Sequence, residues 1–265
     1  MDKAIIIGAT SGLGWEVANR FLSQGWKLGV AGRNTAKLQE LQDKYGADRV
    51  VTAALDITEE SSVAAVEDLV KRLGGMDRFL HFAGVGWQNR EVDPAVELSV
   101  AQINVIGFYR MIDFAFNWFK TAAARGEFDR HHKAHIVAIS SMASTRGIAV
   151  APSYSSTKKL QATYIEALAQ LAQMQQLPID LTDIRPGFVA TPILGYQYPC
   201  IMPVDKAGKM IVHAIGKRKH VYCFDWRYRV VGFFWRLIPR RLWEKMTFVY
   251  GGGSSKSTGK AKCIS

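Results

Sequence analysis

"AIIIGATSGLG", residues 4–14, contains the change from strand to helix that decides the fold. Its β-branched apolar run is typical of a buried strand in a parallel sheet, and a helical pattern follows from about Gly14 to Gln24. Between the two, Gly8, Gly12 and Gly14 allow a tight turn and the close approach of a pyrophosphate to the helix N-terminus. An ordinary strand–helix turn is the alternative interpretation of this GxxxGxG spacing.

Strand and helix patterns continue to alternate along the chain. An amphipathic helix closed by glycine is predicted at 35–46, and further strands are predicted at 26–32, 50–58, 79–84, 135–141 and 179–187. Alternation at this spacing indicates a parallel sheet covered by helices on both faces, with right-handed crossovers. The predicted fold class is therefore α/β: a doubly wound parallel sheet of the Rossmann type, with three α/β/α layers in a single domain.

Composition limits the class of protein. The 265 residues are 48% hydrophobic, which is enough for a substantial core. The three cysteines have no CxxC spacing, so neither a disulfide framework nor a metal site is expected, and a reducing, cytoplasmic location is predicted. We expect no signal peptide, and no membrane span, because no stretch approaches the ~18 consecutive apolar residues that a span requires.

Positive charge is concentrated in the C-terminal part of the sequence. Residues 1–205 contain 20 Lys and Arg against 21 Asp and Glu, a net of −1, whereas residues 206–265 contain 14 against 2, a net of +12. We expect residues 1–205 to form a dinucleotide-binding and catalytic domain, and residues 206–250 a basic, aromatic extension packed on that domain or on a membrane surface. The glycine- and serine-rich residues 251–265 are expected to form a disordered tail.

Two polar residues follow the second strand and end the third. Arg33 lies where the adenosine ribose of a dinucleotide is expected, and a guanidinium there favours a 2′-phosphate through charge-assisted hydrogen bonds. This favours NADP(H) over NAD(H), with a solvated surface arginine as the alternative. Asp56 is placed either to accept a hydrogen bond from the adenine amino group or to cap the next helix.

The segment YSSTK, residues 154–158, contains the main chemical signal. Tyr154 and Lys158 are four positions apart and therefore neighbours on one face of a helix. A free phenol titrates near ~10, and a nearby ammonium is expected to lower that pKa, which makes Tyr154 a better proton donor to a forming alkoxide. Ser141, at the end of a predicted strand, is placed to polarise a substrate carbonyl.

Together these motifs resemble those of the short-chain dehydrogenase/reductase family. The resemblance covers residues 3 to about 192 and keeps the family's order and approximate spacing. It rests on the glycine pattern, LDIT, FAG, Asn104, Ser141, YSSTK and RPGFVAT.

The sequence departs from the family's pattern at two places. Ile7 stands where threonine is usual, and His81 and Phe82 replace two asparagines. In the family, these polar groups normally brace the strands beneath the cofactor. Their loss is expected to affect the support of those strands more than the catalytic chemistry.

The resemblance implies a role for each catalytic position. Tyr154 would be the general acid in reduction or the base in oxidation, and Lys158 would hold the nicotinamide ribose and depress the pKa of the tyrosine. Ser141 would orient the carbonyl, and Ser140 is less favoured because its spacing to Tyr154 is one too long. Asn104 would support a proton relay through water to Lys158.

The resemblance also implies a set of cofactor contacts. The cofactor would be NADP(H), with NAD(H) as the other candidate, and Thr191 would lie near the nicotinamide carboxamide. Besides Tyr154 and Lys158, the implied binding residues are Gly8, Thr10, Ser11, Gly12, Leu13, Gly14, Arg33, Asp56, Ile57, Ala83, Gly84, Pro186, Gly187, Val189 and Thr191.

The predicted function is NADPH-dependent reduction of a ketone or aldehyde to an alcohol. A bulky apolar substrate is favoured, such as a 3-oxo lipid, a keto-sphingoid base or a steroid, because the expected lid at 195–202 is rich in tyrosine and large aliphatic residues; ordinary packing explains those residues equally well. The alternatives are an alcohol dehydrogenase working in the oxidative direction and a non-catalytic NADP-binding regulator. Because family members are often dimers or tetramers, a homo-oligomer is expected.

Arginines alternate with bulky aromatics in RYRVVGFFWRLIPRRLW, residues 227–243. One interpretation is a C-terminal helix packed on the core with its arginines outward, and another is a subunit interface or a cover over the substrate pocket. Peripheral contact with a membrane through residues 226–250 is the third, since aromatic rings and arginine stems suit a bilayer interface. Nucleic-acid binding is disfavoured, because no recognition module is visible.

Overall fold

The core of the fold is one parallel sheet. The computed structural model describes residues 2–191 and 201–246, and in this part of the chain the sheet has seven strands in the order β3-β2-β1-β4-β5-β6-β7, all paired in parallel. The strands are β1 (Lys3–Ile7), β2 (Lys27–Gly32), β3 (Val50–Ala54), β4 (Arg78–His81), β5 (Ala134–Ile139), β6 (Ile179–Ile184) and β7 (Val221–Tyr222). The chain reverses direction across the sheet between β3 and β4. A crevice therefore opens at the carboxyl ends of the adjacent strands β1 and β4, where doubly wound folds bind their ligands.

Helices cover both faces of the sheet, as predicted. They are α1 (Gly12–Ser23), α2 (Thr35–Tyr45), α3 (Ser62–Leu73), α4 (Pro94–Ala101), α5 (Phe108–Ala124), α6 (Pro152–Met174), α7 (Val204–Gly216), α8 (Trp226–Leu237) and α9 (Arg240–Lys245). One apolar core is formed against α3, α5 and α6, and the other against α1, α2 and α7. The predicted three-layer α/β/α arrangement is confirmed.

Several strands are shorter than their apolar patterns predicted. The strand predicted at 50–58 ends at Ala54, because the Asp56 carboxylate accepts the backbone N–H of Thr58 at 2.9 Å and turns the chain. The strand predicted at 179–187 ends at Ile184, before Pro186, which has no N–H to donate. Short polar turns at the carboxyl ends of strands thus set the boundaries of the crevice.

Helix α2 shows how the sequence sets its own ends. The Asn34 side chain accepts the backbone N–H of Lys37 at 3.1 Å and caps the N-terminus. At the other end Gly46 has a φ of 91°, which a residue with a side chain rarely adopts. The helix therefore begins and ends where the sequence predicted.

The C-terminal part of the chain completes the sheet and then leaves it. Helix α7 packs on α1 in the second core, and β7, which the sequence did not predict, pairs with β6. Helices α8 and α9 follow. Residues 247–250, the predicted tail at 251–265 and residues 195–200 of the predicted lid lie outside the described residues. Within the two described ranges, no helix combines the length and the apolar character that a bilayer span would need.

Candidate active site

The glycine-rich turn is packed too tightly for side chains. Gly8 has a φ of 85°, and a Cβ placed there would lie 2.7 Å from the backbone nitrogen of Ala83. A Cβ on Gly14 would overlap the carbonyl of Gly8. These contacts hold the start of α1 against the end of β4, so the free N–H groups of the helix face the crevice.

A cavity of about 210 Å³ lies at this turn, in the crevice between β1 and β4. It brings together eight of the seventeen cofactor residues that the sequence indicated. Its lining includes Gly8, Thr10, Ser11, Arg33, Asp56, Ile57, Ala83 and Gly84. Gly12, Leu13 and Gly14 form the first turn of α1 beside it. The cavity also includes Asn34, Leu55 and Val85, which the sequence analysis missed.

Arg33 and Asp56 lie on the wall of this cavity, where the sequence analysis expected the adenosine. Arg33 is exposed. Burial acts to raise the pKa of Asp56, but hydrogen bonds from the N–H and hydroxyl of Thr58, together with the charge of Arg33, hold it below its usual value. Helix α3 has Ser61 at its N-cap position, so the alternative role of Asp56 as a helix cap is wrong.

Ser141 and Tyr154 meet where β5 ends and α6 begins. Ser141 opens a 3₁₀ turn (Met142–Ser144), and its hydroxyl accepts the N–H of Ala143 at 3.1 Å. Tyr154 lies in the first turn of α6, with its ring against Gly86 so closely that a Cβ there would overlap the ring. The Ser141 side chain lies close enough to the phenol to act on its pKa. The neighbouring Ser140 is engaged elsewhere, since its hydroxyl donates to Asp183.

Lys158 is fixed one helical turn further along α6. Its Nζ donates to the carbonyl of Ile139 and to the side-chain oxygen of Gln161, each at 2.9 Å. Nζ lies 5.9 Å from the centre of the Tyr154 ring, so the predicted proximity of the two groups is present. Burial lowers the pKa of Lys158 to about 8, and the charge of Asp183 acts in the opposite direction.

The pKa of Tyr154 differs from the prediction. The sequence analysis expected a nearby ammonium to lower it, but burial of the phenol raises it, although the residue as a whole is only half-buried. The Ser141 side chain is the group that acts to lower it. A phenol in this state keeps its proton at neutral pH and is a weaker acid than the sequence analysis expected.

Asn104 is buried in a π-helical segment (Gln102–Gly107) between α4 and α5. Its side chain holds Val85, accepting from the backbone N–H at 2.8 Å and donating to the carbonyl at 2.7 Å. Its backbone carbonyl accepts from Gln161 Nε2 at 2.8 Å, and Gln161 also accepts from Lys158. The buried amide of Gln161 therefore links Lys158 to Asn104. In the sequence, the only sign of this link is that Gln161 lies seven residues after Tyr154, on the same face of the helix.

The loop after β6 forms the far wall of the site. The Pro186 carbonyl accepts the N–H of Met142 at 3.0 Å, which ties this loop to the one that carries Ser141. Gly187 lies directly against the ring of Tyr228 on α8. Val189 is buried, and the Thr191 N–H donates to its carbonyl at 2.7 Å. The contact of α8 with this wall was not predicted.

The three departures from the family's pattern do not break the sheet. Ile7 is buried, and in the register it pairs with His81, while the N–H of Phe82 donates to the Ile7 carbonyl at 2.8 Å. Neither ring nitrogen of His81 makes a hydrogen bond, and its ring packs edge-on against Phe108. Burial and the charge of Lys158 lower the pKa of His81 to about 3, so the ring is neutral. Backbone pairing thus supplies the support that was in doubt.

Comparison with known proteins agrees with this geometry. A family model described as short chain dehydrogenase matches residues 2–199. The chain belongs to the short-chain dehydrogenase family. It is therefore an NAD(P)-dependent oxidoreductase, as the sequence motifs predicted.

Relatives of this short-chain dehydrogenase have diverged widely. The chain is 28% identical over 240 residues to dehydrogenase/reductase SDR family member 7B of Bos taurus, covering 81% of this chain and 70% of the relative. It is 29% identical over 252 residues to an uncharacterised oxidoreductase of Mycobacterium tuberculosis, covering 90% and 95%.

Solved structures show the same fold. A 3-ketoacyl-(acyl-carrier-protein) reductase from Brucella melitensis, complexed with NADH, has a TM-score of 0.74 at 24% identity and covers 84% of this chain and 96% of its own. An actinorhodin polyketide ketoreductase with NADPH has a TM-score of 0.70 at 21% identity, covering 84% and 95%.

Proposed function

We propose that this short-chain dehydrogenase uses NADPH to reduce a ketone or aldehyde to an alcohol. The observation that carries the proposal is the convergence of Ser141, Tyr154 and Lys158: the serine side chain lies close enough to the phenol to lower its pKa, and Lys158 Nζ lies 5.9 Å from the centre of the tyrosine ring. The phenol is protonated at neutral pH, which is the form that reduction requires, and a positive charge on Lys158 beside it would stabilise the phenolate left after proton transfer. Reduction is the proposed direction because a preference for NADPH favours it over the reverse oxidation.

Each side chain has a distinct task in this proposal. The bound cofactor supplies the hydride. Ser141 donates a hydrogen bond to the substrate oxygen and polarises the carbonyl. Tyr154 transfers its proton to that oxygen as negative charge develops on it. Lys158, with both its acceptors in place, keeps a positive charge beside the phenol and binds the nicotinamide ribose.

The residues present fit a phosphorylated dinucleotide. Gly8 lets the turn pack directly on the backbone of Ala83, and the N-terminus of α1 beside that turn offers N–H donors to a pyrophosphate. Arg33 offers a fork of donors to a 2′-phosphate, and its charge offsets that of the nearby Asp56 carboxylate. We therefore propose NADP(H) as the preferred cofactor, with NAD(H) as the other candidate.

The proposed substrate is apolar and bulky, such as a 3-oxo lipid, a keto-sphingoid base or a steroid, which would place the enzyme in lipid metabolism. Support comes from Met142 and Tyr228, which bring apolar surface to the rim of the site. Of the predicted lid, Ile201 is exposed, but Met202 is buried and packs in the second core, so it does not line a pocket. A cytoplasmic homo-oligomer in peripheral contact with a membrane completes the proposal.

A panel of carbonyl compounds tests the function directly. Short and long ketones and aldehydes are mixed with the enzyme and either NADPH or NADH, and absorbance of the reduced cofactor is followed. Steady oxidation of NADPH, faster with long apolar ketones, is expected. Cofactor binding without turnover on any member of the panel would instead favour a non-catalytic NADP-binding regulator.

A further inference from the structure

Helix α8 presents an apolar stripe to solvent. Trp226, Val230, Phe233, Phe234 and Leu237 recur at helical spacing and are 70%, 45%, 61%, 59% and 63% exposed. Leu242 on α9 continues the stripe at 53% exposure. We call these six side chains the aromatic docking face. Monomeric soluble proteins seldom leave so many large apolar side chains together in water, and such patches mark interaction sites.

The opposite side of α8 is already occupied by the enzyme itself. Gly232 lies against Met142, where an added Cβ would be 2.6 Å from the methionine methyl, and Tyr228 lies against Gly187. Arg146 donates to the backbone carbonyls of Trp235, Arg236 and Ile238 at the end of the helix. These contacts fix the orientation of α8, so its aromatic docking face cannot turn inward to the core.

Unpaired cations flank the aromatic docking face. Among the residues that the structure describes, Arg229, Arg236, Arg241 and Lys245 make no ion pair. Arg229 and Arg236 lie along one side of the apolar stripe of α8, and the other two lie on α9. A cavity of about 400 Å³ beside the helix adds Arg146 and Lys159, with Glu166 as its acidic residue; its Arg185 is paired with Asp183.

The charge identifies the occupant of this surface. A second copy docking on the same face would bring arginine against arginine, which is unfavourable. A bilayer containing anionic lipids matches both features at once: rings enter the headgroup region while guanidinium groups on bent side chains stay at the phosphates. The concentration of positive charge in residues 206–265, 14 basic against 2 acidic, has the sign that such a surface attracts.

We propose that the aromatic docking face binds the surface of an anionic phospholipid bilayer, with α8 lying in the plane of the headgroups. Because the opposite side of α8 contacts Met142 and Gly187, docking places the rim of the active site directly behind the docked helix. The proposal rests on the proposed function for its purpose, since a lipid-soluble carbonyl would then reach Ser141 and Tyr154 from the membrane. The docking itself requires no turnover.

Vesicle flotation of the full chain tests the proposal. Vesicles of phosphatidylcholine containing phosphatidylglycerol are compared with vesicles of phosphatidylcholine alone, and the fraction of protein recovered with the lipid is measured. The wild type is expected to float with the anionic vesicles and to be released by salt. Recovery that is equal with both kinds of vesicle, or equal to that without lipid, would overturn the proposal.

Two pairs of variants separate the apolar contribution from the charged one. Phe233→Ser with Phe234→Ser should lower binding at least tenfold, and Arg229→Gln with Arg236→Gln should lower it about thirtyfold at low salt. The thirtyfold value follows from the loss of two charges at roughly 1 kcal/mol each, converted at about 1.4 kcal/mol per tenfold change in binding. Wild-type binding by either pair would contradict the proposal.

Matched controls change the same chemistry elsewhere on the surface. Leu98→Ser with Met174→Ser removes two exposed apolar side chains, 69% and 81% exposed, and Lys217→Gln with Lys219→Gln removes two exposed charges. Both pairs should bind anionic vesicles within about twofold of the wild type.

Two further measurements keep other outcomes distinct. Turnover of a small water-soluble ketone by the Phe233 and Phe234 double variant should match the wild type, because neither residue lies in the catalytic site. Failure of the wild type on every ketone would overturn the proposed function and leave the flotation result standing.

Light scattering measures the oligomeric state and so tests whether a second copy of the chain occupies the aromatic docking face. A dimer that the double variant disrupts, with no vesicle binding by the wild type, would overturn membrane docking.

Discussion

Gln161 offers a sharp test of how the site controls the charge of Lys158. Its side-chain oxygen accepts from Nζ at 2.9 Å, its nitrogen donates to the Asn104 carbonyl at 2.8 Å, and it is 1% exposed. Two nearly isosteric variants change what the ammonium meets. Gln161→Glu places a carboxylate beside Nζ, whereas Gln161→Met removes the acceptor and keeps the volume.

The expected magnitudes follow from the contact. Burial holds the pKa of Lys158 at about 8, and the proposed mechanism needs its charged form, so activity should fall as pH rises through that value. An opposite charge within hydrogen-bond distance raises a pKa by about 1 to 3 units. Loss of a hydrogen bond to a charged group costs about 1.5–3 kcal/mol, which corresponds to a decrease of about 1 to 2 units. The Glu and Met variants should therefore shift the alkaline limb in opposite directions.

The assay is kcat/KM for reduction of one ketone by NADPH, measured across pH. Gln170→Glu is the matched control, because Gln170 lies on the same helix but is exposed, and its variant should keep the parent's profile. A circular dichroism spectrum at each pH verifies that the variants stay folded. Alkaline limbs that coincide with the parent's, or that move in the same direction for both Gln161 variants, would refute the assigned role.

Three other substitutions test separate parts of the account. His81→Asn should flatten the acid side of the stability curve, because the buried ring has a pKa of about 3 against 6.5 unfolded and stability is lost as pH falls through this window. In urea unfolding, the free energy of unfolding of the parent should fall by about 1.4 kcal/mol more than that of the variant between pH 7.5 and pH 5.5, and equal pH dependence would contradict this. Arg33→Asp should raise KM for NADPH at least tenfold while leaving that for NADH within about threefold, and a parallel rise in both would count against a 2′-phosphate contact. Gly86→Ala should displace the Tyr154 ring and lower kcat about a hundredfold, whereas Gly147→Ala, where an added Cβ meets nothing within 4 Å, should leave kcat unchanged; similar values for the two would remove the packing argument.

Much of the fold could be predicted because strand and helix carry different periods. The apolar run before Gly8 and the amphipathic pattern of α2 each specify one local structure, and the rule for parallel crossovers then leaves few topologies. Strand ends were less predictable. The predicted strands extended past Ala54 and Ile184, but side-chain hydrogen bonds by Asp56 and the missing N–H of Pro186 end the pairing, and neither effect is visible in a periodicity.

The catalytic residues could be predicted because their geometry is local to one helix. Their surroundings could not, because those contacts join distant parts of the chain. Tyr154 and Lys158 are neighbours on one helix, so their spacing contains the geometry. The packing of Tyr228 on Gly187 joins residues about forty positions apart, and nothing in local sequence specifies such a contact. The predicted direction of the Tyr154 pKa shift was wrong, because burial is a property of the assembled site, whereas the charge of a neighbour can be read from the sequence.

Replacement of Tyr154 by phenylalanine tests the central claim most directly, with Tyr164→Phe on the same helix as the control. NADPH oxidation with the best ketone of the panel is measured, together with NADPH binding by fluorescence. The account predicts that Tyr154→Phe lowers kcat at least a hundredfold with unchanged cofactor affinity, while Tyr164→Phe stays within about threefold of the parent. Turnover by Tyr154→Phe at the parent's rate would contradict the account.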